Sequence, residues 1–135
     1  MNIIEELMKY DVGDIKLPEM DVKIKLSKLG GKEFIFPLVA LKAEVAGEIQ
    51  EELFSIRYKK KDVQMDMTLF KGKIRKIYEA CPTVFKNSQL QEKFGVHTPY
   101  DLVIKLLTPG EIDNLVEKID ELSGFDADDV EEVKN

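Results

Sequence analysis

One cysteine, Cys81, and one histidine, His97, are the only residues of their kinds in the 135-residue chain. A lone cysteine closes no intramolecular disulfide, so the fold must rest on packing, in agreement with a reducing compartment. The same scarcity narrows the catalytic options. Nucleophilic catalysis needs a thiol or hydroxyl beside an activating base, and the one Cys–His combination is separated by sixteen positions. Cys81 falls on the apolar face of a helical pattern and His97 just ahead of a helix start, so a small core thiol and a loop imidazole account for both. Long apolar runs are missing too. Nothing approaches the roughly 20 residues that span a bilayer, and the opening "MNIIEELMKYD" has acids where a secretory leader has a basic region. Gly30-Gly31 lacks the further glycines, lysine and hydroxyl of a phosphate-cradling loop. The acids Asp126, Asp128, Asp129, Glu131 and Glu132 lack the central glycine and spaced final glutamate of a calcium loop. The expectation is a non-enzyme with no catalytic residue, no cofactor site and no metal site.

What is present describes an ordinary soluble globular protein: 44% hydrophobic and 34% charged residues, with a net charge of −6. The expected location is the cytoplasm. The charge is uneven. From Glu111 to Asn135 there are ten acids against two lysines, a balance of −8, whereas residues 1–110 hold 16 acids and 18 bases, or +2. Between Arg57 and Lys76 eight bases face only Asp62 and Asp66. Such a stretch can meet nucleic acid, but no aromatic or glycine pattern interleaves it, and a solvated face explains it more simply.

Periodicity gives the architecture. "IIEELMKY" places Ile3, Ile4, Leu7 and Met8 at helical spacing, and residues 11–20, with Gly13 and Pro18, read as a linker. Val22, Ile24 and Leu26 then alternate with lysines, and Phe34 and Phe36 flank Ile35 after Gly30-Gly31. This is a β-hairpin pattern in which paired glycines supply the positive φ of a tight turn. Pro37, which has no amide to donate, makes the second strand an edge there or ends it nearby. Helical spacing returns from Lys42 to Tyr58 through Val45, Ile49, Leu53, Phe54 and Ile56. "DVQMDM" fits either a strand or the approach to a helix. That helix sets Leu69, Phe70, Ile74, Ile77, Tyr78 and Cys81 on one face and stops at Pro82. "SQLQEKFG" is a brief helix from Ser88 as N-cap to Gly95 just past its end.

One pattern occurs twice, Thr98-Pro99-Tyr100-Asp101 and Thr108-Pro109-Gly110-Glu111. Threonine, proline and an acid three positions on form a helix start. The hydroxyl accepts a free amide, proline occupies a position whose amide has no partner, and the acid faces the positive helix end. Thr98, Pro99, Asp101, Thr108, Pro109 and Glu111 are therefore structural caps. The first helix would run from Pro99 to Leu107, burying Leu102, Val103, Leu106 and Leu107. The second would run from Pro109 to Leu122, burying Ile112, Leu115, Val116, Ile119 and Leu122. The expected fold class is α+β, an N-terminal hairpin forming a small antiparallel sheet followed by a mainly helical C-terminal half. Residues 1–124 would make one globular domain: a helix and linker over 1–20, the hairpin over 21–41 and the helical part over 42–124. An acidic, flexible tail would follow over 125–135.

The stretch "QLQEKFGVHTPYDLVIKLL" also has the helix, turn and helix of a small DNA-binding regulator. The second helix would offer Tyr100, Asp101 and Lys105, with no Arg, Asn or Gln to grip base edges, and Asp101 would repel phosphates. Nucleic acid is thus not the expected partner.

"LQEKFGVHTPYDLVIKLLTPGEIDNLVEKIDELSG", Leu90 to Gly124, resembles the C-terminal region of the XkdN-like phage tail assembly chaperones. Their members show a KFG-x-x-TP-x-[DE]-L segment running into KLL-x-PGEI. The strand pair upstream and a helix carrying "EIQ" at Glu48 to Gln50 keep the same order, so the likeness covers about residues 21–124. The resemblance implies a noncatalytic chaperone that holds the tape measure protein soluble while the tail of a phage, prophage or phage-tail-like bacteriocin assembles. Its place would be the cytoplasm of the bacterial host and not the mature particle. The tail tube protein and further copies of the chain itself are additional candidate partners, and no membrane is implied. Families of this kind often make a longer, frameshifted product as well. Lys134-Asn135 can be encoded by AAA AAC, the core of a slippery heptamer, although a polar terminus explains the pair more simply. No motif assigns partner-binding residues.

Overall fold

A computed structural model describes residues 2–59, 62–98, 100–125 and 131–133, with the backbone alone at 54–59, 62–66 and 68. Residues 126–130 of the expected tail, and Lys134-Asn135, lie outside the described residues.

The alternating segments form the sheet. Strands β1 (Glu19–Leu26) and β2 (Lys32–Val39) pair antiparallel, from Glu19 opposite Val39 to Leu26 opposite Lys32. Because side chains alternate between faces, this register sets Val22 beside Phe36 and Ile24 beside Phe34 on one face. Leu26, Phe36 and Leu38 are buried on that face, while Ile35 points to solvent on the other. Pro37 stands opposite Asp21 in a two-stranded sheet where β2 has a free edge, so its missing amide does not end the strand. The connection is longer than a tight turn. Ser27–Leu29 form a 3₁₀ turn, and Gly30 and Gly31 follow at φ 70° and 79°. Two consecutive left-handed residues bring the chain back into register, and the Gly31 amide donates to the Leu26 carbonyl at 2.9 Å.

Seven helices complete the described chain. They are α1 (Ile3–Leu7), α2 (Ala43–Lys59), α3 (Asp62–Ala80), α4 (Pro82–Phe85), α5 (Ser88–Lys93), α6 (Asp101–Leu106) and α7 (Pro109–Leu122). The class is α+β with the hairpin first, as the periodicity predicts. "DVQMDM" resolves as the beginning of α3, because Met67, Phe70 and Ile74 continue one helical period. In α5 the cap is Asn87 rather than Ser88: its side chain accepts the Leu90 amide at 2.8 Å.

Helix α7 covers the apolar face of the hairpin, α3 packs against α7, and α2 packs against α3. At the centre Ile77, Cys81, Phe85, Leu102, Leu107 and Ile119 are wholly buried. Phe36 meets Phe85 edge to face with ring centres 5.9 Å apart, tying the sheet to α4. Two expected apolar faces are not covered. Ile74, Ile77 and Cys81 of the α3 pattern are buried, but Leu69 and Phe70, one turn earlier, are exposed. Helix α1 buries none of its residues. Among the described residues no helix is long and apolar enough to cross a membrane.

Candidate functional site

Local chemistry fixes α7 at its start. The Glu111 amide donates to Thr108 Oγ1 at 3.4 Å, the Thr108 amide donates to Glu111 Oε1 at 2.9 Å, and Pro109 fills the first helical position. This reciprocal box satisfies amides that the helix itself cannot. Glu111 does more than cap. Its second oxygen, Oε2, accepts the Ser27 amide at 3.0 Å, across 84 positions of sequence. Burial by itself would raise this carboxyl, but the donors at Thr108 and Ser27 outweigh it and hold the group below the usual glutamate value. Beyond the far end of α7, Ser123 Oγ accepts the Leu41 amide at 3.0 Å. Ser27 lies at the turn end of the hairpin and Leu41 at its open end, so α7 is tied along the whole ribbon.

The first copy of the pattern behaves differently. Helix α6 begins at Asp101, later than the spacing predicts, after Tyr100, whose side chain makes no cap bond. Asp101 Oδ2 accepts the Thr98 amide at 3.3 Å, and the Asp101 amide donates to the Thr98 carbonyl at 3.2 Å. The acid reaches back without a threonine hydroxyl reaching forward. Pro99 lies outside the described residues. Leu102, Val103 and Leu106 of α6 are buried, as is Leu107 just after it.

The basic stretch is partly used inside the molecule. Lys73 pairs with Asp113 at 2.7 Å and Lys76 with Asp120 at 3.0 Å, both on α7, while Arg75 binds Glu48 of α2. The Glu48 hydrogen bond raises the Arg75 pKa above its ordinary value. These bases thus join α3 to both neighbouring helices. Lys60 and Lys61 lie outside the described residues.

Cys81 and His97 occupy different settings. Cys81 is wholly buried, and burial pushes its thiol up to about 11, so it stays protonated at neutral pH. His97 is exposed beside Lys28 and Ile104. Among the described residues no group of three or more His, Cys, Asp or Glu is placed to hold a metal ion.

An apolar groove of about 450 Å³ lies between α3 and α6. Phe70, Tyr100 and Ile104 line it at 41%, 40% and 44% exposure, with Ile74 and Arg75 deeper. Tyr100 is held by an edge-to-face contact with Tyr78, ring centres 4.9 Å apart. A second hollow, containing Lys28, His97 and Lys105, adjoins it through Asp101 and Ile104. The sequence does not announce this groove. Phe70 reads there as core, and only the folded chain shows it exposed at the rim of a groove.

A hairpin strapped by one helix, beside two further long helices and an open apolar groove, defines a small α+β protein whose described surface offers contact rather than clustered reactive groups. The family model of the phage XkdN-like tail assembly chaperones matches residues 4–134, and the chain belongs to that family. Its role is in phage tail assembly. Among solved structures the chain is similar to the crystal structure of the protein YqbN, with 22% identity, coverage of 87% of this chain and 98% of that one, and a TM-score of 0.49. No curated protein matches it.

Proposed function

We propose that this tail assembly chaperone binds the tape measure protein noncatalytically in the host cytoplasm, keeps it soluble while tube subunits assemble, and leaves before the particle is finished. The family match over residues 4–134 carries the reading. The exposed apolar residues support it. A tape measure helix presents apolar surface over a great length, and a chaperone must offer apolar contact of its own while its charge, here −6, keeps the complex dissolved. Co-expression with the tape measure protein from the same phage or prophage tests it. The expected result is a rise in soluble tape measure protein and co-purification of the two; an insoluble tape measure protein with the chaperone alone in the soluble fraction would overturn it. The same reading includes the tail tube protein and a frameshifted longer form as further partners. For the longer form, a coding sequence ending AAG AAT without an overlapping downstream frame would remove the idea.

A further inference from the structure

We infer that the N-terminal arm of one copy of this chain seats in the α3–α6 groove of a second copy. The arm carries an apolar face that its own chain leaves bare. Ile3, Ile4 and Leu7 are 59–61% exposed and Met8 79%, and no residue of α1 is buried. These positions recur at helical spacing and share one face. A helix of one and a half turns is not stable alone in water, although the Asn2 side chain caps this one by accepting the Glu5 amide at 2.9 Å. It therefore needs a surface to lie on. The groove presents Phe70, Tyr100 and Ile104 half-bare, and is of a size to take aliphatic side chains.

Charge matches the arm to the groove. Residues 2–18 carry the acids Glu5, Glu6, Asp11 and Asp14 against Lys9 and Lys16. The groove and its adjoining hollow carry Lys71, Lys28 and Lys105 against Glu52 and Asp101, with Arg75 already paired to Glu48. Lys28 is fixed at the rim, its Nζ donating to the Ile104 carbonyl at 2.7 Å. An acidic, apolar arm and a basic-rimmed, apolar groove are complementary surfaces of one molecule.

Geometry favours a second copy over the arm's own groove. The arm joins the fold where the Ala40 amide donates to the Pro18 carbonyl at 2.9 Å, at the open end of the hairpin. Lys28 and Ile104 mark the turn end, a strand length of about 26 Å away. The tether includes the 3₁₀ turn Val12–Asp14, closed by the Asp11 amide donating to Asp14 Oδ2 at 2.8 Å. To reach its own groove the arm would have to run almost fully extended along the whole ribbon, giving up helix α1 or the surfaces beside it. Reciprocal exchange between two copies avoids this and fills every groove, so the assembly closes as a dimer.

The test uses the full chain. Light scattering after size exclusion should give twice the 15.5 kDa chain mass. Leu7→Asp should return it to one chain without changing its circular dichroism, because Leu7 is exposed within the fold. Two variants, Leu7→Cys and Ile104→Cys, should then form a disulfide-linked heterodimer only when mixed and oxidised, the native Cys81 being wholly buried. A wild-type monomer, a dimer that survives Leu7→Asp, or a double variant Leu7→Cys/Ile104→Cys that closes within one chain would each overturn the inference. An unlinked mixture would overturn it too, and would leave the groove to another protein.

Discussion

The Ser27 amide and the Glu111 carboxylate are joined at 3.0 Å across 84 positions. The same carboxylate closes the cap of α7, so one side chain both starts a helix and fastens it to the hairpin turn. Its two oxygens serve donors from distant parts of the chain, and among the described residues neither donor has another acceptor.

Replacing Glu111 therefore affects both ends of the relationship. Glu111→Ala leaves the Ser27 and Thr108 amides without their acceptor, and should cost about 2–3 kcal/mol in urea unfolding. Glu111→Gln keeps one carbonyl acceptor and should cost less.

The loss should depend on pH in one direction. Because the folded carboxyl lies below its ordinary value, its contribution is fully present above the unfolded glutamate pKa of about 4.3. It is lost as pH falls through the lower folded value. The stability gap between wild type and Glu111→Gln should hold steady from about pH 5 to 7 and narrow in more acidic buffers. A gap that widens on acidification would contradict the assignment.

Ser123→Ala removes the acceptor for the Leu41 amide and should cost about 1 kcal/mol. Glu111 lies in the first turn of the 14-residue helix α7 and Ser123 just past its end, about 18 Å along the axis. At that separation the two losses should add within a few tenths of a kcal/mol, which a double-mutant cycle measures.

Two glycine substitutions should act with opposite sign. Gly47 sits within α2, and a Cβ added there would meet nothing within 4 Å, so Gly47→Ala should stabilise by roughly 0.5–1 kcal/mol. Gly30 has equal space but a φ of 70°, and Gly30→Ala should destabilise by about 1–2 kcal/mol. Thermal melts of the pair separate backbone conformation from packing.

Cys81 should resist thiol reagents in the folded protein and react on unfolding, since it is wholly buried and its thiol is raised to about 11. Labelling at about pH 8, near the ordinary thiol value, with and without denaturant measures this, and rapid native labelling would contradict the burial.

How much of this the sequence discloses depends on the range of the interaction. Alternation at Val22, Ile24, Phe34 and Phe36 specifies the hairpin, and Thr108-Pro109-Gly110-Glu111 specifies the start of α7, because strand faces and helix caps are settled within a few residues. The later start of α6 is not legible: Tyr100 stands where α7 has Gly110, and its ring packs on Tyr78. Nor is the tertiary half of Glu111 or Ser123 legible, since an acid in a capping box and a serine past a helix end look the same whether or not a distant amide reaches them. The apolar pattern of α1 and α3 is visible, but periodicity says only that a face is apolar, not whether the same chain covers it.

The strap also sets a timetable for synthesis. Val39 leaves the ribosome 70 residues ahead of Pro109, a delay of about 4–14 seconds at usual rates of translation. For that interval the ribbon has no helix across its apolar face, and a lone two-stranded hairpin is marginal in water. Lys23, Lys25, Lys28 and Lys32 are then the cationic guard that the growing ribbon carries against its neighbours. A member of a chaperone family thus spends the first seconds of its life as an unshielded apolar ribbon.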